Sequence, residues 1–526
     1  MLRRFLAILA ALACLFAVSR AVAHENPKPA NGGNAEKASG AVKAAPATKN
    51  GGPDKSANPK VASAKSMPLS TSSAKARDLY QRAVQDYELL YLERANIGWR
   101  AAAKEDPNFA AAFTMVALNS RDPEESRTAR EQAKMLAAKA SSGEKLMIQW
   151  VAATEEGKYL EGIAAMNDMI AMFPKDKHVY YLAANWLMGV RGDEQAHNLL
   201  HKALDIDPDF APALNNLAYL HARSHEFDES LQDMDRYAAL LPKEPNPQDS
   251  YGEILRMAGR FEASLEHYRA ALAIDPNFNT SQVGLGDTYA LMGDQEKARQ
   301  EYDKAIAKEP NAANRFDDRM QKAITWVREK NYADADRELW RISVEAHGQS
   351  YELQEAQALR RMAQYAADDQ LALERLASAE DALTHRHNLS PADRDEELAH
   401  ILRVRAARLI QAGKKDEAQK ALNQLGELAD SNHSRTIQEC WHGAAGQALA
   451  SQGNFKEAIP ELEEDQDNPE TMSLLVKAYT ETGVADKSQS ASARLRAMNL
   501  ASLEQVLAVE PNVPKPTATQ EPVAEQ

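Results

Sequence analysis

The chain has 526 residues, 44% of them apolar but only 6% aromatic, with two cysteines and a formal charge of −15 at neutral pH. Scarce aromatics and modest glycine suit helical hairpins and argue against a β-rich fold, and the acidic balance disfavours nucleic acid as a partner. The charge is unevenly spread: residues 1–75 hold 11 Lys/Arg against three Asp/Glu, and with the −2 of residues 510–526 set aside, residues 76–509 carry −21.

At the N-terminus, Arg3 and Arg4 precede an apolar run from Phe5 to Val18, and Ala21-Val22-Ala23 offers small residues at the −3 and −1 places of a cleavage site. This is the pattern of a secretory signal peptide over residues 1–23, with a mature chain beginning at His24. The run is short for a membrane span, so no stable span is expected after cleavage. Cys14 lies inside the run and lacks the leucine three residues earlier that a lipoprotein site would use. The expected location is exported, periplasmic or secreted. Residues 24–75 are rich in Ala, Pro, Lys, Gly and Ser with almost no large apolar residues, which reads as a disordered linker. One cysteine, Cys440, then remains in the mature chain. It cannot form an internal disulfide and reads as a small buried apolar side chain.

The array begins at residue 76. Ala95, Trp99, Ala102 and Pro107 mark the second helix of a first unit over 76–109, and 110–142 forms a unit about one residue short. Then five prolines, Pro174, Pro208, Pro242, Pro276 and Pro310, each follow the last by 34 residues. Such a period is the mark of stacked helical hairpins. Within residues 211–244, Leu214, Leu217, Ala218 and His221 share one helix face; after the turn Ser224-His225-Glu226, Leu231, Met234, Tyr237, Ala238 and Leu241 give a second. Proline then stops the helix, having no N–H to donate. In residues 279–312, Gly286 costs about 1 kcal/mol relative to alanine inside a helix, which close packing of two helices would explain, and Gly293 suits a turn needing a positive φ. The period breaks after Pro310, where the next unit needs about three extra residues, and weaker units follow to about residue 500. Ser390-Pro391 reads as a helix start, the serine capping and the proline at the first helical position. The expected organisation is a regular array over 76–312, a degenerate array over 313–508 and a disordered tail over 509–526.

Leu285-Gly286-x2-Tyr289, Ala298-x3-Tyr302 and Pro310 resemble the tetratricopeptide repeat (TPR) family, although Gln282 stands where the family motif has tryptophan. The chain is thus similar to an exported bacterial type of TPR protein. The resemblance implies an all-α helical-hairpin solenoid, a superhelix of about twelve units with the later ones degenerate. It also implies a scaffold that holds a protein or peptide partner in a concave groove, without a cofactor and without catalysis. In this family the second, fifth, ninth, twelfth and thirteenth positions of the first helices face the groove. Here those places carry His178, Tyr181 and Asn185, then Asn215, Tyr219 and Arg223, then Asp249, Glu253 and Arg256, then Asp287. Tyr181, Asn185, Asn215, Tyr219 and Arg223 are expected to form one exposed strip. The Lys/Arg set that grips a C-terminal carboxylate in some members is not reproduced.

Enzyme motifs such as H-E-x-x-H, a Walker loop, G-x-S-x-G or a CxxC pair do not occur in the sequence. Two alternatives to a scaffold stay open. One is a glycan-processing enzyme of the envelope built on a closed helical toroid with paired carboxylates. The other is a metal-binding protein: His197 and His201, and His221 and His225, are each four apart on adjacent helices and could share a divalent ion. Glu397 and His400 match only half of a di-iron helix motif.

Overall fold

The computed structural model describes residues 66–384 and 388–509. The expected signal peptide, most of the expected linker and residues 510–526 lie outside the described residues. Among the described residues, twelve helical hairpins follow one another, and nearly every helix packs most closely against its partner in the hairpin. The first four are α1 (Ala74–Glu88) with α2 (Leu92–Glu105), α3 (Ala110–Asn119) with α4 (Pro123–Leu136), α5 (Ser142–Glu155) with α6 (Tyr159–Met172), and α7 (Lys177–Gly189) with α8 (Asp193–Ile206). Next come α9 (Ala211–Arg223) with α10 (Phe227–Leu240), α11 (Asn246–Met257) with α12 (Phe261–Ile274), α13 (Asn279–Met292) with α14 (Gln295–Lys308), and α15 (Ala312–Arg328) with α16 (Tyr332–Gln349). The last four are α17 (Glu352–Tyr365) with α18 (Asp369–Ala382), α19 (Pro391–Gln411) with α20 (Lys415–Ser431), α21 (Arg435–Ser451) with α22 (Phe455–Glu463), and α23 (Pro469–Glu481) with α24 (Ala485–Ala497). A short terminal helix, α25 (Leu503–Ala508), completes the described chain.

The 34-residue period has three physical roots. Each of the five prolines stands two residues beyond the end of a second helix, from α6 to α14, where the missing N–H ends the helical ladder. The turn inside each hairpin uses one left-handed residue at a fixed place: Gly157, Arg191, His225, Gly259 and Gly293 all have positive φ. The third root is the hairpin seam. Met166, Leu200, Met234, Tyr268 and Tyr302 recur at one place in the second helices and are all at most 2% exposed. Burying each such side chain contributes roughly 1.5–3 kcal/mol. Where the seam residue is tyrosine, the facing first helix carries glycine. A Cβ on Gly286 would lie 2.7 Å from Tyr302 Cε1, and one on Gly252 would lie 3.1 Å from Tyr268 Cδ1.

Beyond residue 312 the extra residues lengthen helices rather than loops, since α15 and α16 have 17 and 18 residues against 14 in α13 and α14. Helix α19 starts as its sequence predicts, with Ser390 accepting from the Asp393 N–H and Pro391 at the first helical position. One boundary is corrected. Residues 66–73, assigned to the linker by composition, pack onto the array: the Met67 N–H donates to Asp176 (2.8 Å), the Ser70 N–H to Glu144 (3.1 Å), and Thr71 is buried. Main-chain donors without a helix of their own are satisfied here by helix-start carboxylates.

The solenoid coils back upon itself. Arg121, between α3 and α4, pairs with Asp317 on α15; the Tyr159 hydroxyl on α6 donates to Glu396 on α19 (3.3 Å); Arg191, between α7 and α8, pairs with Asp467, between α22 and α23. Hairpins six to seven apart therefore touch, and one superhelical turn encloses an inner channel. Among the described residues no helix is long and apolar enough to cross a membrane.

Candidate binding channel

First helices line the inside of the coil, and from α11 to α23 they surround a cavity of about 1440 Å³. Each contributes polar side chains at helical spacing, for example Glu253 and Arg256 on α11, Gln321 on α15, and Arg360 and Gln364 on α17. Inner charges are held by partners on the same helix or on a neighbouring part of the array. Arg360 makes a two-pronged contact with Glu397 on α19 (2.6 and 3.2 Å), and Arg403 pairs with Asp465 (2.8 Å) and donates to Thr471 (2.6 Å). Arg256 pairs with Glu253 (2.9 Å), and the Ser281 hydroxyl donates to Asp249 (2.6 Å). Pairing of this kind holds consecutive first helices in register, with little net gain because both charges lose water.

The predicted groove strip needs correcting. Tyr181, Asn185, Asn215 and Tyr219 are at most 8% exposed, so four of the five residues expected on an open surface are buried. The first hairpin covers Tyr181 and Asn185. Tyr87 at the end of α1 lies edge-on to Tyr181 (6.5 Å), its hydroxyl accepts from Asn185 (3.2 Å), and Glu88 pairs with His178. Tyr91, just beyond, stacks edge-on against Phe278 and donates to Glu244 (2.8 Å). Tyr219 donates to Glu253 (2.9 Å), and Arg223 reaches back to Asp193 (3.0 Å) and the Met188 carbonyl (3.1 Å). Asp249, Glu253, Arg256 and Asp287, from the same family positions one and two hairpins later, do line the cavity. Asp249, Glu253 and Arg256 are nevertheless themselves buried in the pairs just described. No sequence signal showed that the chain's own first hairpin would dock there, because that contact spans some 90 to 190 residues.

The histidine pair expectation is also corrected. His197 and His201 do meet (Nε2 to Nε2, 3.2 Å), and His197 lies near His221 (5.9 Å between ring centres). His221 instead engages Asp233 (3.1 Å), and His225 is the left-handed turn residue, its φ of +62° turning its ring toward Phe227. Among the described residues no group of three or more His, Cys, Asp and Glu side chains has the geometry to hold a metal ion. Glu397 is taken by Arg360, and His400 faces Cys440 (Nδ1 to Sγ, 3.4 Å). Burial pushes the Cys440 thiol up to about 12, although Arg403 and Arg360 pull the other way; burial and the same arginines push His400 well below its ordinary value. The pair is therefore a neutral thiol beside a neutral imidazole, unlike an activated nucleophile.

Sequence reasoning missed the most informative contacts in the channel. Beyond α24 the chain turns and lays residues Asn499–Ala508 inside the coil. Arg256 donates to the Asn499 carbonyl (3.4 Å), Arg328 to the Leu500 carbonyl (3.3 Å), and Gln321 to the Ala501 carbonyl. Leu503 is 2% exposed among Ile324, Val327 and Ala335, and Gln364 donates to Glu504 (3.1 Å).

Helical hairpins stacked at a 34-residue period around an inner channel define an all-α TPR superhelix. Residues 252–293 match the family model described as TPR repeat, and residues 280–311 match the one described as tetratricopeptide repeat. No curated protein matches the chain in sequence. Solved structures to which it is similar include yeast Tom70, at a TM-score of 0.44 and 14% identity over 80% of this chain and 90% of that one. A tetratricopeptide repeat protein from Parabacteroides merdae ATCC 43184 gives 0.32 and 15% over 51% and 92%. YrrB, described as a TPR protein with an unusual peptide-binding site, gives 0.24 and 18% over 40% and 96%.

Proposed function

We propose that this protein is an exported scaffold whose inner channel, between α11 and α17, holds an extended segment of a protein partner by its main chain. The observation that carries this reading is the run of three successive carbonyls, on Asn499, Leu500 and Ala501, that accept from Arg256, Arg328 and Gln321. Side chains aimed at main-chain oxygens recognise an extended segment with tolerance for its sequence, and a neighbouring apolar pocket supplies the selective contact. The groove lies further along the array than Tyr181 and Asn185, which the first hairpin covers, and than the buried Asn215 and Tyr219. Export rests on Arg3, Arg4, the apolar run Phe5–Val18 and Ala21-Val22-Ala23; N-terminal sequencing of the exported protein should return His24 first.

An enzyme on a helical toroid would need free paired carboxylates at its centre. Glu253, Glu397 and Asp465, which line the channel, are each paired with an arginine, whereas Asp393, Glu396 and Glu470, which also line it, have their carboxyl groups raised by burial. The binding reading is tested by selecting a random peptide library on the immobilised full chain and on its Leu503→Asp variant. Selected peptides should lose most of their affinity when Gln321 and Gln364 are replaced by alanine together. Peptides indifferent to that replacement, or none selected on either protein, would place binding elsewhere.

A further inference from the structure

Residues Asn499–Ala508 are held unlike any other part of the array. They belong to no hairpin, and their single helix, α25, has six residues, too short to persist unaided. Of the ten, only Leu503 and Gln505 are buried. The segment reaches its place through a turn at Asn499, whose backbone is left-handed (φ +44°) and whose side-chain amide donates to the Met257 carbonyl (3.1 Å). From there its contacts are those of a bound peptide. The lead-in lies outside any helix and is gripped by Arg256, Arg328 and Gln321; an apolar anchor, Leu503, follows; an acidic residue, Glu504, comes next.

The acidic contact has a reason in the channel wall. Arg361 has Met320 Sδ as its near neighbour (3.1 Å) and follows Arg360 on α17, whose own guanidinium is taken up by Glu397. Burial and the Arg360 charge both work against the Arg361 cation. A second carboxylate relieves that imbalance, and Glu504 supplies it. Burial acts to raise its carboxyl group, but Arg360, the Gln364 amide and Arg361 outweigh burial and hold it below the ordinary range.

We propose that Asn499–Ala508 is an internal occupant of the peptide groove, and that the partner is a segment of the same chemistry, a non-helical lead-in followed by an apolar and then an acidic residue, which binds by displacing it. This rests on the reading of the channel as a peptide groove. A tethered occupant acts at a high effective concentration, so it lowers the apparent affinity of any competitor by the fraction of time that the groove is closed. Helix α25 also packs on α23 and α15, so its release would free the last hairpin from the middle of the array.

The test uses the full chain and a fluorescein-labelled synthetic peptide of residues 499–509, followed by fluorescence anisotropy. Leu503→Asp removes the anchor, and Glu504→Arg sets a cation against Arg360 and Arg361 without touching the apolar cluster. Both variants should bind the peptide at least about tenfold more tightly than the unaltered chain does. Circular dichroism should show the same helix content in all three, and Glu504→Arg decides the matter if Leu503→Asp loses structure. A peptide carrying the Leu503→Asp change should not bind. Equal affinity of the unaltered chain and Glu504→Arg for the peptide, or no binding to either variant, would overturn the proposal. If library peptides bind the channel of the unaltered chain and of Leu503→Asp equally, the groove reading stands and the internal occupant falls. If replacing Gln321 and Gln364 leaves all peptide binding intact, the groove reading itself falls.

Discussion

Gly286→Ala should destabilise the protein, although alanine is the better helix former. The added methyl would stand 2.7 and 2.8 Å from Tyr302 Cε1 and Cδ1, closer than carbon atoms approach in folded proteins. Tyr302 cannot swing aside cheaply, because its ring is fully buried and its hydroxyl donates to Asp287 (2.6 Å). Helix propensity favours alanine by about 1 kcal/mol, while overpacking a seam costs about 1–3 kcal/mol, so the net effect runs from near zero to about 2 kcal/mol of destabilisation. Gly348 near the end of α16 supplies the control. It is exposed, and a Cβ there meets nothing within 4 Å, so Gly348→Ala keeps only the propensity gain, at most about 1 kcal/mol. The two identical substitutions should therefore differ by about 1–3 kcal/mol. Urea melts followed by circular dichroism would measure this, with hydrogen exchange of α13 and α14 locating the loss. Gly286→Ala matching or exceeding Gly348→Ala in stability would refute the seam argument.

Three further outcomes follow from particular residues. His225→Gly should raise stability by up to about 1 kcal/mol, because His225 occupies a left-handed position that Gly157, Gly259 and Gly293 fill in other hairpins; a lower melting temperature would mean that the imidazole makes a contact worth more than the strain. Burial, reinforced by Asp393 and Glu155, holds Glu396 protonated well above its ordinary value near 4.5, despite hydrogen bonds from Ser434 and Tyr159. The folded state then binds the extra proton, so this group's contribution declines as pH rises from about 4.5 through the raised folded value. The melting temperature of Glu396→Gln should gain on that of the unaltered protein between pH 5 and pH 8, and parallel curves would sink the assignment. Cys440 should ignore dithiobis(nitrobenzoate) at pH 8 in the native protein and react once guanidinium unfolds it, since burial keeps the thiol protonated; prompt native labelling would mean that the site opens.

The sequence by itself determined the hairpin. Proline every 34 residues, Gly293 at its turn and the Gly286–Tyr302 seam are local devices, acting within one repeat, and repetition makes local rules visible. Ser390-Pro391 was legible for the same reason, since a cap concerns its own few residues. What only the tertiary structure decided is how the hairpins close over one another. Tyr181 and Asn185 occupy groove positions by phase, yet the end of α1, some 90 residues earlier, covers them. His197, His201 and His221 come close, but the backbone of His225 is spent on a turn, and Asp233 takes His221. Residues 499–508 look in sequence like the fading end of an array, but Arg256, Arg328 and Gln321 draw them into its middle. These contacts depend on the small rotation added at each hairpin, which sums over six or seven units to bring distant segments together. No single repeat carries that sum in its residues, so periodicity reveals the unit, while the coil decides which surfaces remain open.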